Sequence, residues 1–405
     1  MTEPGSRHHE HVVALAELAV AFGANLQPGQ ILAISSEPGK EDLARAIAES
    51  AYRRGALFVD LSVFDVHLKR SRALHADPDT LRFIPPWMGA RARSLGEHHC
   101  ARIALTGPAS PRILEGIDPS LLGRDTLPSL PESMQIIDDR TTNWTAVPCP
   151  TPDWAQLVHP ELSATEAIDR LWRDIVHICR LDEPDPIAAW NHRLDDLSAK
   201  SAALDALELD ALRFRGPDTD LTVGLLPSSR WCAVRFETVD GIVHAPNLPT
   251  EEVFTTPDPE RVNGFVTATK PLFTSGTTVT GLRVRFESGR AVAVEADHGA
   301  ELIRGLAEHD EGAAGLGEVA LVDREGRIGP LNTVFYDTLI DENAASHIAL
   351  GQGYELGVRD ADDLLRVNRS SLHVDFMIGG DAVSVTGRRR DGTEIALLRD
   401  GSWQI

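Results

Sequence analysis

The chain has 405 residues, of which 61 are acidic and 39 are Lys or Arg, so its formal net charge is −22. Nucleic acid and anionic lipid surfaces repel such a chain, and we therefore expect no nucleic-acid and no membrane partner. No apolar run approaches the roughly 20 residues of a membrane span, and the N-terminus lacks the pattern of a signal peptide. The four cysteines are far apart and form no CxxC pair, which favours a reducing, cytoplasmic location.

The first half of the chain alternates amphipathic helices with short apolar strands. Helical periodicity runs through residues 12–22 and 40–55, and apolar runs follow at 57–65 and 101–110. Gly55 is expected to end the second helix. This alternation predicts an α/β domain with a mostly parallel sheet. His8, His9 and His11 precede the periodicity, and we expect them in a mobile terminus without a ligand role.

This first half carries no phosphate-binding motif. It contains neither GxGxxG after its first strand nor GxxxxGK[ST], so we expect it to act as a scaffold or partner surface. Ser163 and Glu166 form a capping-box pattern that opens a helix reaching about Cys179. Another helical stretch covers 184–206, and we place the domain boundary there: residues 1–206 are the α/β scaffold domain and residues 207–405 the catalytic domain.

The second half has a different character. Short β-rich segments, separated by Gly or Asp-Gly turns, predict a mainly antiparallel, barrel-like α+β domain. Within it, residues 299–308 and 341–350 are expected to be helices. Every candidate metal ligand lies in this half, which is therefore predicted to be β-rich, metal-binding and catalytic.

Polar residues with metal-binding chemistry interrupt several of these apolar segments. His373 and Asp375 are two apart in an apolar strand, so both side chains face the same side. Glu318 opens the apolar strand VALV after a glycine. Glu251 and Glu252 lie inside another apolar segment, where buried carboxylates need a cation or donors. The residues alone do not decide which of these two faces the site.

The segment 341–354 adds further candidates. Asp341 is expected to cap the predicted helix rather than bind metal. Glu342 and His347 are five residues apart, so they share a site only if Glu342 lies at the mouth of that helix. Tyr354 follows Gly351 and Gly353, which are expected to break the helix before it.

The candidates carry more charge than one ion can balance. The set holds up to four carboxylates (Glu252, Glu318, Glu342, Asp375) and two imidazoles (His347, His373). Two divalent ions roughly 3.5–4 Å apart, bridged by a carboxylate and a water, would balance them. Oxygen and imidazole ligands suit Zn²⁺, Co²⁺ or Mn²⁺ without selecting one.

At these residues the chain resembles the metallopeptidase family that contains aminopeptidases T and S. The similarity is most specific in NLPTEEVFTTPD, LGEVALVD, DTLIDENAASHIALGQGY and NRSSLHVDFMIGG. It implies an α/β N-terminal domain, a β-rich C-terminal domain with a two-metal site, and a homodimer. It also decides for Glu252 over Glu251, and it implies that Glu318, His347, His373 and Asp375 are ligands. By the same resemblance Glu342 is a ligand or the general base, and Tyr354 stabilises the transition state.

The expected activity is hydrolysis of N-terminal residues from short peptides by a metal-activated water, with Glu342 or Glu318 moving the proton. The alternative is a mononuclear Fe(II) ring-cleaving dioxygenase on the same fold, which would use the triad His347, His373 and Asp375. That alternative leaves Glu252 and Glu318 without a role.

Overall fold

The computed structural model describes residues 8–122, 124–233, 235–274 and 277–405. The chain divides into two compact units, one reaching Asn191 and including Arg235–Pro249, the other formed by His192–Val234 and Thr250–Ile405. The change of unit at residues 191–192 comes before residue 206, where the domain boundary was predicted. The division into an autonomous scaffold domain and an autonomous catalytic domain stays a prediction.

Twelve α-helices occur in the part of the chain that the structure describes. In order they are α1 (His9–Leu18), α2 (Glu41–Arg53), α3 (Val66–His75), α4 (Pro86–Glu97), α5 (Pro119–Leu122), α6 (Pro131–Asp138), α7 (Pro152–Val158), α8 (Ala164–Ile178), α9 (Pro186–Ala206), α10 (Ala300–Ala307), α11 (Thr338–Asp341) and α12 (Ala361–Leu364). None of these described helices has the length and apolarity needed to cross a membrane.

The strands fall into a short first series and a longer second series. The first series is β1 (Ile31–Ser36), β2 (Phe58–Val63), β3 (Ala101–Thr106), β4 (Trp144–Pro148), β5 (Leu209–Gly216), β6 (Thr219–Leu225), β7 (Cys232–Ala233), β8 (Phe236–Glu237) and β9 (Val243–His244). The second is β10 (Glu252–Thr255), β11 (Pro257–Thr267), β12 (Leu272–Thr274), β13 (Thr277–Val279), β14 (Arg283–Glu287), β15 (Arg290–Glu295), β16 (Leu316–Val322), β17 (His347–Gly351), β18 (His373–Met377), β19 (Ser384–Arg389), β20 (Glu394–Arg399) and β21 (Ser402–Trp403).

The first unit contains the predicted parallel sheet. Its four strands lie in the order β2-β1-β3-β4, and every neighbouring pair is parallel. Leu32 and Ile34 on the central strand β1 are no more than 1% exposed, because helices cover the sheet and shield these side chains from solvent. The prediction of an α/β layer with a parallel sheet is confirmed.

Local sequence signals placed two helix ends correctly. Gly55 follows the C-cap of α2 with φ of +89°, a left-handed conformation that glycine adopts without steric cost. Ser163 caps α8 by accepting a hydrogen bond from the Glu166 amide, and the Glu166 side chain accepts from the Ser163 amide. The predicted capping box is therefore confirmed, and α8 ends at Ile178.

The histidines near the N-terminus lie in and beside a helix, so the prediction that they occupy a mobile terminus was wrong. α1 begins at His9. The rings of His8 and His11 stack on the Trp172 ring, with centroids 5.7 and 6.1 Å away. A tryptophan distant in sequence supplies this packing, and apolar periodicity could not reveal it.

The second unit is built mainly of antiparallel sheets. One has eight strands in the order β15-β14-β11-β6-β5-β19-β20-β21, and another has five in the order β18-β17-β16-β10-β7. All pairings in both sheets are antiparallel. The mainly antiparallel, mixed α/β architecture is confirmed, and closure into a barrel stays a prediction.

The predicted helix at 341–350 was wrong, whereas the helix predicted at 299–308 exists as α10. A single 3₁₀ turn occupies Glu342–Ala344, and His347–Gly351 form the fully buried strand β17. A short buried apolar run has no periodicity that separates a strand from a helix. The Asp341 side chain does not cap a helix either: it ends α11, precedes the 3₁₀ turn without a capping hydrogen bond, and accepts from the amides of Phe335 and Asp337.

The capping box predicts a measurable contribution to stability. Ser163→Ala should lower the free energy of unfolding by about 1 kcal/mol, because one amide of the first turn of α8 loses its acceptor. Ser163→Thr keeps a hydroxyl that accepts from the Glu166 amide and donates to the Glu166 carboxylate, so it should unfold like the unmodified protein. Urea unfolding followed by circular dichroism measures both, and equal midpoints for the two variants would contradict the assignment.

Candidate metal centre

Three neighbouring strands of the five-stranded sheet position the first carboxylates. Glu318 on β16 lies opposite Ala349 on β17, and Ala349 lies opposite Asp375 on β18. Residues in register on adjacent strands point to the same face of a sheet. The carboxylates of Glu318 and Asp375 therefore flank a methyl group, and the small Ala349 side chain leaves room between them.

The two histidines and Glu252 belong to the same face. His347 comes two residues before Ala349, and His373 comes two residues before Asp375. Strand side chains alternate with period two, so each histidine points to the same face as the residue it precedes. Glu252 on β10 lies opposite Val322, which is four residues after Glu318 on β16. One face of one sheet thus gathers five of the six predicted ligands.

The side-chain atoms meet in two overlapping groups. His347 Nε2 lies 3.0 Å from Glu252 Oε2, and His373 Nε2 lies 3.1 Å from Glu318 Oε2 and 3.3 Å from Asp375 Oδ1. Ligand atoms of Glu252, Glu318 and His347 lie within 4.8 Å of one another, as do those of Glu318, His373 and Asp375. Glu318 belongs to both groups of three and is placed to bridge them.

Glu342 and Tyr354 adjoin these groups from the loops. Glu342 starts the 3₁₀ turn after α11, and its carboxyl adjoins that of Asp375, whose charge adds to burial in raising the pKa of Glu342. The Tyr354 ring lies 5.0 Å from the His373 ring and 5.7 Å from that of Phe254, measured between centroids. All seven predicted site residues are therefore close together in the second unit.

Glu251 and Glu252 have different surroundings. Glu252 adjoins His347, whereas the Glu251 carboxylate accepts a hydrogen bond of 2.6 Å from Nε of Arg193. Neighbouring residues of an extended chain point to opposite sides. The geometry thus supports Glu252 as the candidate ligand of the pair.

Both histidines are held so that Nε2 faces the carboxylates. Nδ1 of His373 lies 2.8 Å from the Gln352 carbonyl oxygen, and Nδ1 of His347 lies 3.2 Å from the Ala345 carbonyl oxygen. A carbonyl accepts only, so Nδ1 carries the proton and donates it. With a metal ion bound, the ring would be neutral and its Nε2 lone pair would face the ion, the arrangement found in metal-binding histidines.

Buried charge dominates the electrostatics of this face. Glu252, Glu318, Glu342 and Asp375 are at most 6% exposed. Burial, followed by the charges of the neighbouring carboxylates, raises the pKa of Glu342 well above its ordinary value. Burial lowers the pKa of His347, but the adjacent Glu252 carboxylate more than offsets this and brings it to about 9. The four buried carboxylates therefore attract protons or metal cations.

The buried oxygens fit a metal ion. Glu252 Oε2 and Asp375 Oδ1 make no hydrogen bond within the described residues, although each lies within 3.3 Å of an imidazole nitrogen. A buried oxygen without a partner costs about 1–3 kcal/mol. Facing acceptors at this distance need a proton or a cation between them. Carboxylate oxygens with imidazole nitrogens are a donor set for divalent zinc, cobalt or manganese.

Sequence reasoning missed the residues that surround Glu251, the neighbour of the candidate ligand Glu252. Arg193, Asp323 and Asn343 surround Glu251 with charges and hydrogen bonds. Arg193 is 58 residues from Glu251 in sequence, so no local pattern could reveal that the two side chains pair.

A separate cavity of about 590 Å³ lies elsewhere in the second unit and contains none of the predicted site residues. Arginines, acidic groups and strand ends line it, among them Asp205, Glu208, Arg359, Arg389, Arg390 and Asp391. Since its charges are balanced and it lacks the clustered imidazoles, the cavity does not displace the sheet face as the candidate site.

Known proteins match the chain over nearly its whole length. The model of the M29 family, described as thermophilic metalloproteases, matches residues 8–403. Aminopeptidase T of Thermus thermophilus is 42% identical over 399 residues, which are 96% of this chain and 98% of that protein. Aminopeptidase PepS of Streptococcus thermophilus is 34% identical over 407 residues, 98% of each chain.

A solved structure carries the same fold. The structure of wild-type AmpT from Thermus thermophilus has a TM-score of 0.91 at 41% identity, covering 98% of this chain and 100% of that chain. The resemblance inferred from the four motifs is thereby confirmed, and the chain belongs to the M29 family of metalloproteases.

Proposed function

We propose that Glu252, Glu318, His347, His373 and Asp375 hold two divalent metal ions, with Glu342 either a further ligand or the general base, and that the second unit catalyses the removal of N-terminal residues from short peptides. The observation that carries this proposal is the pair of three-residue groups that share Glu318 on one face of the sheet. Each group of three would hold one ion, and Glu318, which belongs to both, would be the bridging carboxylate of a two-metal hydrolytic site.

The comparisons support the class of activity. The matching family consists of metalloproteases, and the relatives are named as aminopeptidases, so a metal-dependent aminopeptidase is the activity of this chain. They do not support an iron dioxygenase, which would also leave Glu252 and Glu318 without a function.

Ions bound here would polarise the scissile carbonyl and lower the pKa of a water nucleophile. Glu342 is the proposed general base, with Glu318 as the alternative, and it takes a proton from the attacking water and returns it to the leaving amine. The Tyr354 hydroxyl donates a hydrogen bond to the carbonyl oxygen as that oxygen gains charge. Burial keeps the Glu342 carboxyl away from bulk water, which strengthens its electrostatic interactions.

We also propose that the chain forms a homodimer and is cytoplasmic. Leu57, Phe58, Leu61 and Val63, on and beside the edge strand β2, are at least 50% exposed. An exposed apolar sheet edge favours association with another chain. All four cysteines are free and buried, which fits a reducing compartment.

The proposed ligand role of Glu252 predicts a sharp difference between neighbouring residues. Glu252→Gln should lower kcat/KM by more than about 100-fold, since losing a ligand costs more than losing a supporting residue. Glu251→Gln keeps an oxygen that can accept from Arg193 and should retain at least about a tenth of the activity. Steady-state kinetics with excess Co²⁺ compares them. An inactive Glu251→Gln beside an active Glu252→Gln would show that the wrong neighbour has been assigned.

The activity predicts selective cleavage at free N-termini. A leucyl dipeptide should be hydrolysed equally well in air and without oxygen, and its N-acetylated copy should resist, because the free amine is part of the recognised substrate. Dialysis against a chelator should abolish hydrolysis, and added Zn²⁺, Co²⁺ or Mn²⁺ should restore it.

The same preparations are then supplied with Fe²⁺ and a dihydroxypyridine while oxygen uptake is recorded. Uptake of oxygen together with an inert dipeptide would overturn the aminopeptidase in favour of the dioxygenase.

A further inference from the structure

A buried arginine on α9 binds two carboxylates that stand next to the candidate metal centre. Arg193 Nε donates to Glu251 Oε2 at 2.6 Å, and its terminal nitrogens donate to Asp323 at 3.1 and 3.5 Å. The Arg193 side chain is only 9% exposed, and those of Glu251 and Asp323 are 0% and 3% exposed. The planar guanidinium fork matches this geometry, which a lysine ammonium could not reproduce.

The two carboxylates also have donors other than Arg193. The Arg327 amide donates to Glu251 Oε1, and Trp403 Nε1 donates to Asp323 Oδ2 at 2.7 Å. A buried network with every member bonded is rigid, because any displacement leaves a polar group without a partner. The carboxylates therefore have fixed positions as long as the guanidinium is present.

This network is joined to the metal centre by the backbone on both sides. Glu251 precedes Glu252, and its amide donates to Asn343 Oδ1 at 2.6 Å. Asn343 directly follows Glu342 in the same 3₁₀ turn. Asp323 directly follows Val322, the residue that lies opposite Glu252 on the neighbouring strand.

We propose that Arg193 is a positioning residue for the metal ions: by holding Glu251 and Asp323 it sets the direction in which Glu252 and Glu342 point. This rests on the proposed function, since it assumes that Glu252 and Glu342 serve bound ions. Removing the guanidinium leaves two buried carboxylates unpaired beside the site. They then repel each other and move the start of β10, so that Glu252 no longer meets His347 and Glu318 in one place.

The experiment compares Arg193→Met and Arg193→Lys with Arg261→Met in the full-length chain. Arg261 pairs with Asp210 at 2.8 Å in the eight-stranded sheet of the same unit and serves as the control for losing an ion-paired arginine. Co²⁺ affinity is measured by competition with a chromophoric chelator, and the melting temperature is measured on metal-free protein. Arg193→Met should weaken Co²⁺ binding by about 10- to 100-fold, the usual effect of losing a group that orients a ligand.

Arg193→Lys keeps the charge but not the fork, and its loss of affinity should be intermediate. Arg261→Met should bind Co²⁺ as the unmodified protein does. If Arg193→Met does not fold, the measurement rests on Arg193→Lys. Unchanged Co²⁺ affinity in a folded Arg193 variant, with only a lower melting temperature, would reduce the residue to a structural role and overturn the proposal. An unmodified protein that binds no Co²⁺ would instead overturn the proposed function itself.

Discussion

The central constraint on the second unit is that several carboxylates, which repel one another, are buried close together on one face of a sheet. Glu252, Glu318, Glu342 and Asp375 are nearly inaccessible to water, and ionised carboxylates in such surroundings need compensating positive charge. Two imidazoles share this face, and beside a bound ion each would be neutral and offer a lone pair but no charge. Divalent cations satisfy both kinds of group, and the chemistry of peptide hydrolysis follows from the same charges.

The sheet positions the candidate ligands on one face, and the loops fix how their side chains are oriented. Pairing of β16, β17 and β18 fixes which side chains share a face, and the small Ala349 makes space between two carboxylates. Backbone carbonyls of Gln352 and Ala345 fix the histidine rings. Behind Glu252, Arg193 neutralises part of the charge that Glu251 adds. The candidate ligands are thus held by strand register, while neighbouring carbonyls and charged groups fix their orientation.

The sequence predicted the fold best where a local signal decides the structure. Period-two spacing correctly placed His373 and Asp375 together on a strand, and the Ser163 and Gly55 signals correctly placed two helix ends. It failed at residues 341–350, where a buried apolar strand has no periodicity of its own. It could not choose between Glu251 and Glu252 without the resemblance, because the deciding partners, Arg193 and His347, are distant in sequence.

Anomalous X-ray diffraction at the cobalt edge, on crystals of the protein loaded with Co²⁺, locates bound ions in the second unit. We expect two peaks roughly 3.5–4 Å apart on either side of the Glu318 carboxylate. One should adjoin Glu252 and His347, and the other should adjoin His373 and Asp375. A single fully occupied peak, or peaks remote from Glu318, would contradict this expectation.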